Sequence, residues 1–227
     1  ATFAKSQEWT SVQLHEKLDR IMLTLRSERN KRVKPATDKK TITSWNALMV
    51  SGLVDAYEAF GEKRYLELAE RNMTELLQIE TPFTNQINHL IGGSEMAFLD
   101  DYAFTIKALI DIYQATFNES YLNLANDYSF EAIKRFKDDN SPYFYYSMKD
   151  EQVSLRTIEL QDLSIPSSNA VMAENLFLLG KYFENETFVT VSKDMCANMK
   201  ESFISYGTSF SYWGSVIPVS YTHLTLP

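Results

Sequence analysis

Three stretches of the chain carry one alternation of apolar and polar positions. Trp45 to Leu77 reads as a helical hairpin, Asp101 to Phe136 follows the same pattern, and Ser168 to Phe203 is a weaker third copy. Laid on one another without gaps, they place Trp45, Asp101 and Ser168 in one slot and Asn46, Tyr102 and Asn169 in the next. Ala47, Ala103 and Ala170 follow, then Leu53, Leu109 and Leu176. The first helix of each pair is apolar nearly all round and the second carries a single stripe, so one member is predicted inside and one outside. Helices are predicted over about 44–60, 63–78, 100–116, 119–136, 167–183 and 186–203. Thr43 or Ser44 is the expected cap of the first of these and Gly61 its terminator.

An amphipathic helix over 7–30 precedes these pairs, with Trp9, Val12, Leu14, Leu18, Ile21, Met22 and Leu25 at helical spacing. It reads as the second half of a hairpin, so the natural N-terminus is expected to lie upstream. Tyr143–Tyr146 and Val153–Ile158, separated by Lys149-Asp150-Glu151, predict a short β-hairpin. Residues 217–227 continue no pattern and are set aside as a non-native tail, leaving 1–216 for the fold.

Consecutive hairpins with inner and outer helices predict an all-α solenoid or closed toroid. Irregular loops before each inner helix favour the toroid. Every inner helix then runs the same way, and the polar starts of all three gather on one face. Helix N-termini expose unpaired N–H groups there, which suit polar ligands. Aromatic rings beside carboxylates and amides are the mixture that binds sugars and performs acid/base work. Asp101 and Asp162 are the expected acid/base pair. Arg32, Asp38, Lys40, Trp45, Asn46, Tyr102, Ser167 and Asn169 are the expected ligand contacts. Thr43, Ser44, Asp100, Ser167 and Ser168 also have an ordinary explanation as helix caps.

Composition narrows the alternatives. The 227 residues include only 7 Gly and 6 Pro against 13 Tyr and 14 Phe, which favours long, bulky helices over a turn-rich β fold. A formal charge of −8 argues against nucleic acid as a partner. One basic run, Arg26 to Lys40, is interrupted by Glu28 and Asp38 and reads as a solvated helix end. The lone Cys196 excludes a disulfide framework and reads as a buried filler. No run reaches the roughly 18 apolar residues of a membrane span, and a reducing cytoplasm is the expected compartment. No metal motif or cofactor motif is present, and His89 stands as a single candidate with no partner near it in sequence.

Arg32-x-x-Pro35-x-x-Asp38-x-Lys40, Thr43-Ser-Trp-Asn-Ala-Leu-Met49, Leu99-Asp-Asp-Tyr-Ala103, and Asp162 with Pro166-Ser-Ser-Asn-Ala170 together resemble the spermatogenesis-associated protein 20 family. Its bacterial members carry a thioredoxin domain of the DUF255 type. The resemblance implies a thioredoxin-like domain followed by an (α/α)6 six-hairpin toroid similar to N-acylglucosamine 2-epimerases and six-hairpin glycosidases. This chain would hold about half of the toroid and none of the thioredoxin-like domain. It departs from the family pattern at Lys39, Ala47, Ser168 and Ala170, and the epimerases' paired histidines have no match on its inner helices. The implied function is carbohydrate handling, with a non-catalytic module serving the thioredoxin-like domain as the alternative.

Overall fold

The structure is a computed structural model and describes residues 3, 6–78, 86–138, 140–148 and 155–222, with backbone alone for 219–222. The chain divides into two compact units, 1–39 and 40–227. In the first, α1 (Ser11–Asn30) starts at Thr10 with a reciprocal cap: Gln13 N–H donates to Thr10 Oγ1 at 3.2 Å, and Thr10 N–H to Gln13 Oε1 at 2.9 Å. No residue of α1 is buried; Val12, Leu18, Ile21, Met22 and Leu25 of the predicted stripe are exposed.

The second unit holds α2 (Thr43–Phe60), α3 (Lys63–Gln78), α4 (Leu99–Thr116), α5 (Glu119–Phe136), α6 (Ser168–Tyr182), α7 (Glu186–Tyr206) and α8 (Ser211–Thr222). Each odd-numbered partner packs on the helix before it, while α2, α4, α6 and α8 pack side by side in that order. That is an inner row backed by an outer row, the arrangement of an α/α toroid. Burial follows the pattern: α4 is buried along almost its whole length, with Tyr102, Phe104, Ile106, Leu109 and Ile110 in the core, whereas α5 buries one stripe. A lateral ion network joins two inner helices, Lys107 on α4 lying 2.9 Å from Asp111 and 3.7 Å from Glu174 on α6. Tyr212 on α8 donates its hydroxyl to Glu174.

The ungapped register extends to the backbone. Gly61, Phe117 and Glu184 occupy one slot, and all three adopt the left-handed conformation, with φ of 70°, 56° and 53°. Each turns an inner helix into its outer partner. Glycine takes this conformation without a Cβ clash, whereas Phe117 carries one and has an exposed ring. Phe117→Gly is therefore expected to raise stability by roughly 0.5–1 kcal/mol. Thermal unfolding followed by circular dichroism measures this; an unchanged or lower midpoint would show that the turn stores no strain.

Two local expectations are corrected. The cap of α2 is Ile42, with no side-chain cap bond; Thr43 and Ser44 are buried in the first turn instead. The segments expected to form a β-hairpin form no ladder among the described residues. Phe144 and Ser147 make isolated bridges to Lys137 and Phe98, and the two segments are joined by Tyr146 N–H donating to the Thr157 carbonyl at 2.8 Å and Arg156 Nε to the Ser147 carbonyl at 2.9 Å. Residues 149–154, the predicted turn among them, lie outside the described residues. The stretch read as a non-native tail begins within α8, where Trp213 and Val216 are buried and Ile217 packs against the core; 223–227 lie outside the described residues.

Candidate functional site

The inner helices start on one face, and a carboxylate from the second fastens the first. Asp101 is fully buried. Its Oδ1 accepts the Ser44 N–H at the start of α2 (3.0 Å), and its Oδ2 accepts the Phe98 N–H at the start of its own helix (2.9 Å). The unpaired N–H groups that every helix start must satisfy are thus met across the repeat boundary. A third contact joins Asp101 Oδ2 to His89 Nδ1 at 2.9 Å. The loop bearing His89 is itself pinned to α2, because Thr43 N–H donates to the His89 carbonyl and Thr43 Oγ1 to the Asn88 carbonyl.

Asp100, one residue earlier, is in a different position. It is buried, and its Oδ1 accepts the Asp101 N–H at 2.9 Å. Burial pushes its carboxyl up to about 6, helped by the adjacent Asp101 charge and opposed by the Asp101 N–H and by His89. Burial raises Asp101 as well, against the pull of its Phe98, His89 and Ser44 donors. Beside Asp100 stands Tyr146, whose hydroxyl is pushed upward by burial and then by Asp100 and Glu159. The buried Ser44 hydroxyl, also a neighbour of Asp100, has no partner of hydrogen-bond geometry.

Asp100, Tyr146, Glu159, Gln161, Ser167 and Ser168 line a cavity of about 60 Å3, room for a hydroxyl-sized group but not a sugar ring. Leu163 borders both this cavity and two wider grooves, of about 380 Å3 past Asp162 and Tyr212 and about 410 Å3 past Glu159 and Phe210. His89 packs edge-on against Phe98 (5.0 Å), and Phe98 stacks on Tyr146 (5.0 Å), so one aromatic row leads from His89 to the cavity wall.

The residues expected to touch a ligand divide sharply. Asn169 is buried, and its amide is spent on backbone: Oδ1 accepts the Phe144 N–H at 2.8 Å, and Nδ2 donates to the Phe144 and Glu159 carbonyls, each at 3.0 Å. Asp162 accepts the Ser167 N–H with one oxygen and the Tyr212 N–H with the other, each at 2.8 Å, and caps α8. Ser167 caps α6 and donates to the Glu159 carbonyl. Tyr102 is in the core, its hydroxyl accepting the Ile87 N–H. These side chains hold the helix starts and the loop together. Trp45, by contrast, is 63 % exposed, and Asn46 beside it is half-buried with Nδ2 donating back to the Ile42 carbonyl. Lys40 is exposed just before α2; Arg32 and Asp38 are exposed in the separate 1–39 unit.

Asp100 and Tyr146 stand out only in the structure. The predicted cap at Asp100 hid it, because the helix starts at Leu99 with Phe98 as its cap, and both aspartates fall inside the first turn. The adjacency itself was the signal: two consecutive carboxylates at a buried helix start cannot be equally solvated.

No family model matches the chain. The chain is 32% identical over 196 residues to an uncharacterized protein of Caenorhabditis elegans, covering 82% of this chain and 27% of that protein. It is 29% identical over 165 residues to human spermatogenesis-associated protein 20, covering 66% and 21%. It therefore spans about a quarter of the length of the curated relatives it matches. Among solved structures it is similar to a GH76 α-mannanase of Bacteroides thetaiotaomicron (TM-score 0.61, 16% identity, 75% of this chain and 47% of that one). An inactive α-1,6-mannanase variant of Salegentibacter, changed from aspartate to asparagine at two adjacent positions and bound to α-1,6-mannotriose, matches with TM-score 0.59 and 10% identity over 69% of this chain and 46% of that one. A cellobiose 2-epimerase of Bacillus thermoamylovorans matches with TM-score 0.56 and 13% identity over 72% and 45%. At these identities the likeness establishes the fold, an α/α toroid of which the chain covers a little under half. Among the described residues no helix is long and apolar enough to cross a membrane. The motifs, the named relatives and the double row of helices agree: the chain is similar in sequence to the spermatogenesis-associated protein 20 relatives and carries part of an α/α toroid.

Proposed function

We propose that the mouth formed by the starts of α2, α4 and α6 acts on carbohydrate, with Asp100 as the carboxyl that exchanges a proton with the sugar. The observation that carries this is the environment of Asp100. A carboxyl raised to about 6 by burial, opening into a cavity it shares with Tyr146 and Glu159, keeps a protonated fraction far closer to neutral pH than an ordinary carboxyl does. The adjoining grooves give room for the body of a sugar whose hydroxyl reaches the small cavity, and Trp45, in the first turn of α2, is an exposed aromatic face. Asp101, Asp162, Ser167 and Asn169 hold the frame in this reading, and Tyr102 anchors it in the core. The adjacent aspartates of the inactive mannanase variant support it by analogy, since Asp100 and Asp101 are likewise consecutive.

The test uses the full-length protein with α-1,6-linked manno-oligosaccharides and free hexoses. Asp100→Asn is expected to lower turnover by about 10²-fold or more while sugar binding, followed by calorimetry, persists. Turnover unchanged in that variant would remove Asp100 from the chemistry. Failure of the wild-type protein to bind any of these sugars would defeat the carbohydrate reading altogether.

A further inference from the structure

We infer that the small cavity beside Asp100 holds a primary ammonium group, and that the carbohydrate of this site is an amino sugar with its nitrogen unacylated. The inference rests on the carbohydrate reading above and names its substrate class.

Three features of the cavity carry it. The first is the charge of the wall. Asp100 and Glu159 bring two carboxyl groups, and no lysine, arginine or histidine stands among the lining residues. A neutral ligand leaves that excess of negative charge unanswered. The second is Ser168, which is only 5 % exposed and opens onto the cavity. Among the described residues its hydroxyl makes no hydrogen bond. A buried hydroxyl without a partner is costly, so the cavity is built with one hydrogen-bonding place open. Its neighbour Ser167 is already spent, donating to the Glu159 carbonyl and accepting the Ala170 N–H. The third is size. About 60 Å3 admits one –NH3+ head group, whereas an acetamido group is larger and carries no charge.

An ammonium group has three N–H donors and no acceptor. The wall offers it the Asp100 carboxylate, the Ser168 hydroxyl and the Glu159 carboxylate. A sugar hydroxyl has a single donor and meets only one of these. Apolar Leu163, Ile165 and Pro166 complete the wall, and by excluding water they strengthen a paired charge. Leu163 also borders the two wider grooves, so a ring lying in either groove is next to the cavity that its amine enters.

The titration of Asp100 agrees with this occupant. Burial and then the Asp101 charge raise its carboxyl to about 6, and His89 opposes them. Tyr146 also acts on Asp100, and Glu159 acts on Tyr146. An entering cation takes the place of the proton that these surroundings retain. Below about pH 6 the carboxyl therefore releases its proton to solvent as the ammonium seats, and no bond to carbon changes.

Calorimetric titration of the full-length protein at pH 6.5 compares D-glucosamine and D-mannosamine with D-glucose, D-mannose and N-acetyl-D-glucosamine. The two amino sugars are expected to bind about tenfold tighter, or more, than the three neutral ones. Repeated at pH 5 in two buffers of different ionisation heat, the titration is expected to show release approaching one proton per amino sugar, and less at pH 6.5. Ser167, not Ser168, caps α6, so Ser168→Ala leaves the helix start intact. That variant is expected to lose about fivefold to tenfold in affinity for amino sugars and nothing for neutral hexoses. Asp100→Asn is expected to abolish both the preference and the proton release. Equal affinity for neutral and amino sugars, or a preference and proton release untouched in both variants, overturns the ammonium pocket and leaves the carbohydrate reading standing. No binding of any of these sugars overturns both.

Discussion

Asp101→Ala is expected to destabilise the protein by about 3 kcal/mol, lowering the thermal midpoint by roughly 6–12 °C for a chain of this size. The carboxylate accepts from Ser44 N–H, Phe98 N–H and His89, and the residue is fully buried. Alanine leaves all three groups facing a void that water cannot easily fill. Each unsatisfied buried donor costs about 1–3 kcal/mol, and relief from burying a charge offsets part of the sum. Asparagine is expected to fall between alanine and wild type. It offers one acceptor oxygen where two are used, and its amide nitrogen sets a donor against a donor. Calorimetric unfolding of the three proteins at pH 7 measures the order. A midpoint for Asp101→Ala within 2 °C of wild type would mean that the helix starts are held by something else.

That prediction also marks how far the sequence could be read. The hairpin repeat was legible because helical periodicity and hairpin spacing are local properties, and the register was accurate enough to place Gly61, Phe117 and Glu184 in one left-handed slot. The gathering of Asp101, Tyr102 and Asn169 near helix starts was legible too. What each does was not, because their partners are distant in sequence. Asn169 is paired to Phe144, 25 residues away, and Asp101 to Ser44, 57 residues away. A polar residue in a repeated slot looks the same whether it faces a ligand or a neighbour's backbone. His89 looked solitary for the same reason, its partner lying 12 residues on across a loop. The choice between Asp100 and Asp101 turned on one residue of helix start: successive residues point about 100° apart, so a shift of one exchanges the side chain that faces the frame for the one that faces the cavity.

Asp100→Asn is expected to act in the opposite sense from its neighbour and raise stability at neutral pH by roughly 1–3 kcal/mol. The folded carboxyl holds its proton up to about pH 6, whereas the ordinary value is 3.8. Below that ordinary value both folded and unfolded chains are protonated, and burial of Asp100 carries no charge penalty. Between about pH 4 and 6 the unfolded chain releases the proton while the folded chain keeps it, so stability declines as pH rises through this window and levels off above it. At about 1.4 kcal/mol for each tenfold change in proton affinity, the full penalty at pH 7 approaches roughly 3 kcal/mol. Asparagine removes the penalty, retains an oxygen for the Asp101 N–H, and brings a donor toward the Ser44 hydroxyl that has no partner of hydrogen-bond geometry. Denaturant unfolding of both proteins from pH 3.5 to 8 is the measurement, with the gap expected to open between pH 4 and 6 and to be absent at the acid end. A gap constant across that range would mean that Asp100 titrates normally, and its candidacy for proton transfer would go with it. A carboxylate that weakens the fold at neutral pH, next to one that holds the fold together, is what separates the chemistry of this mouth from its scaffolding.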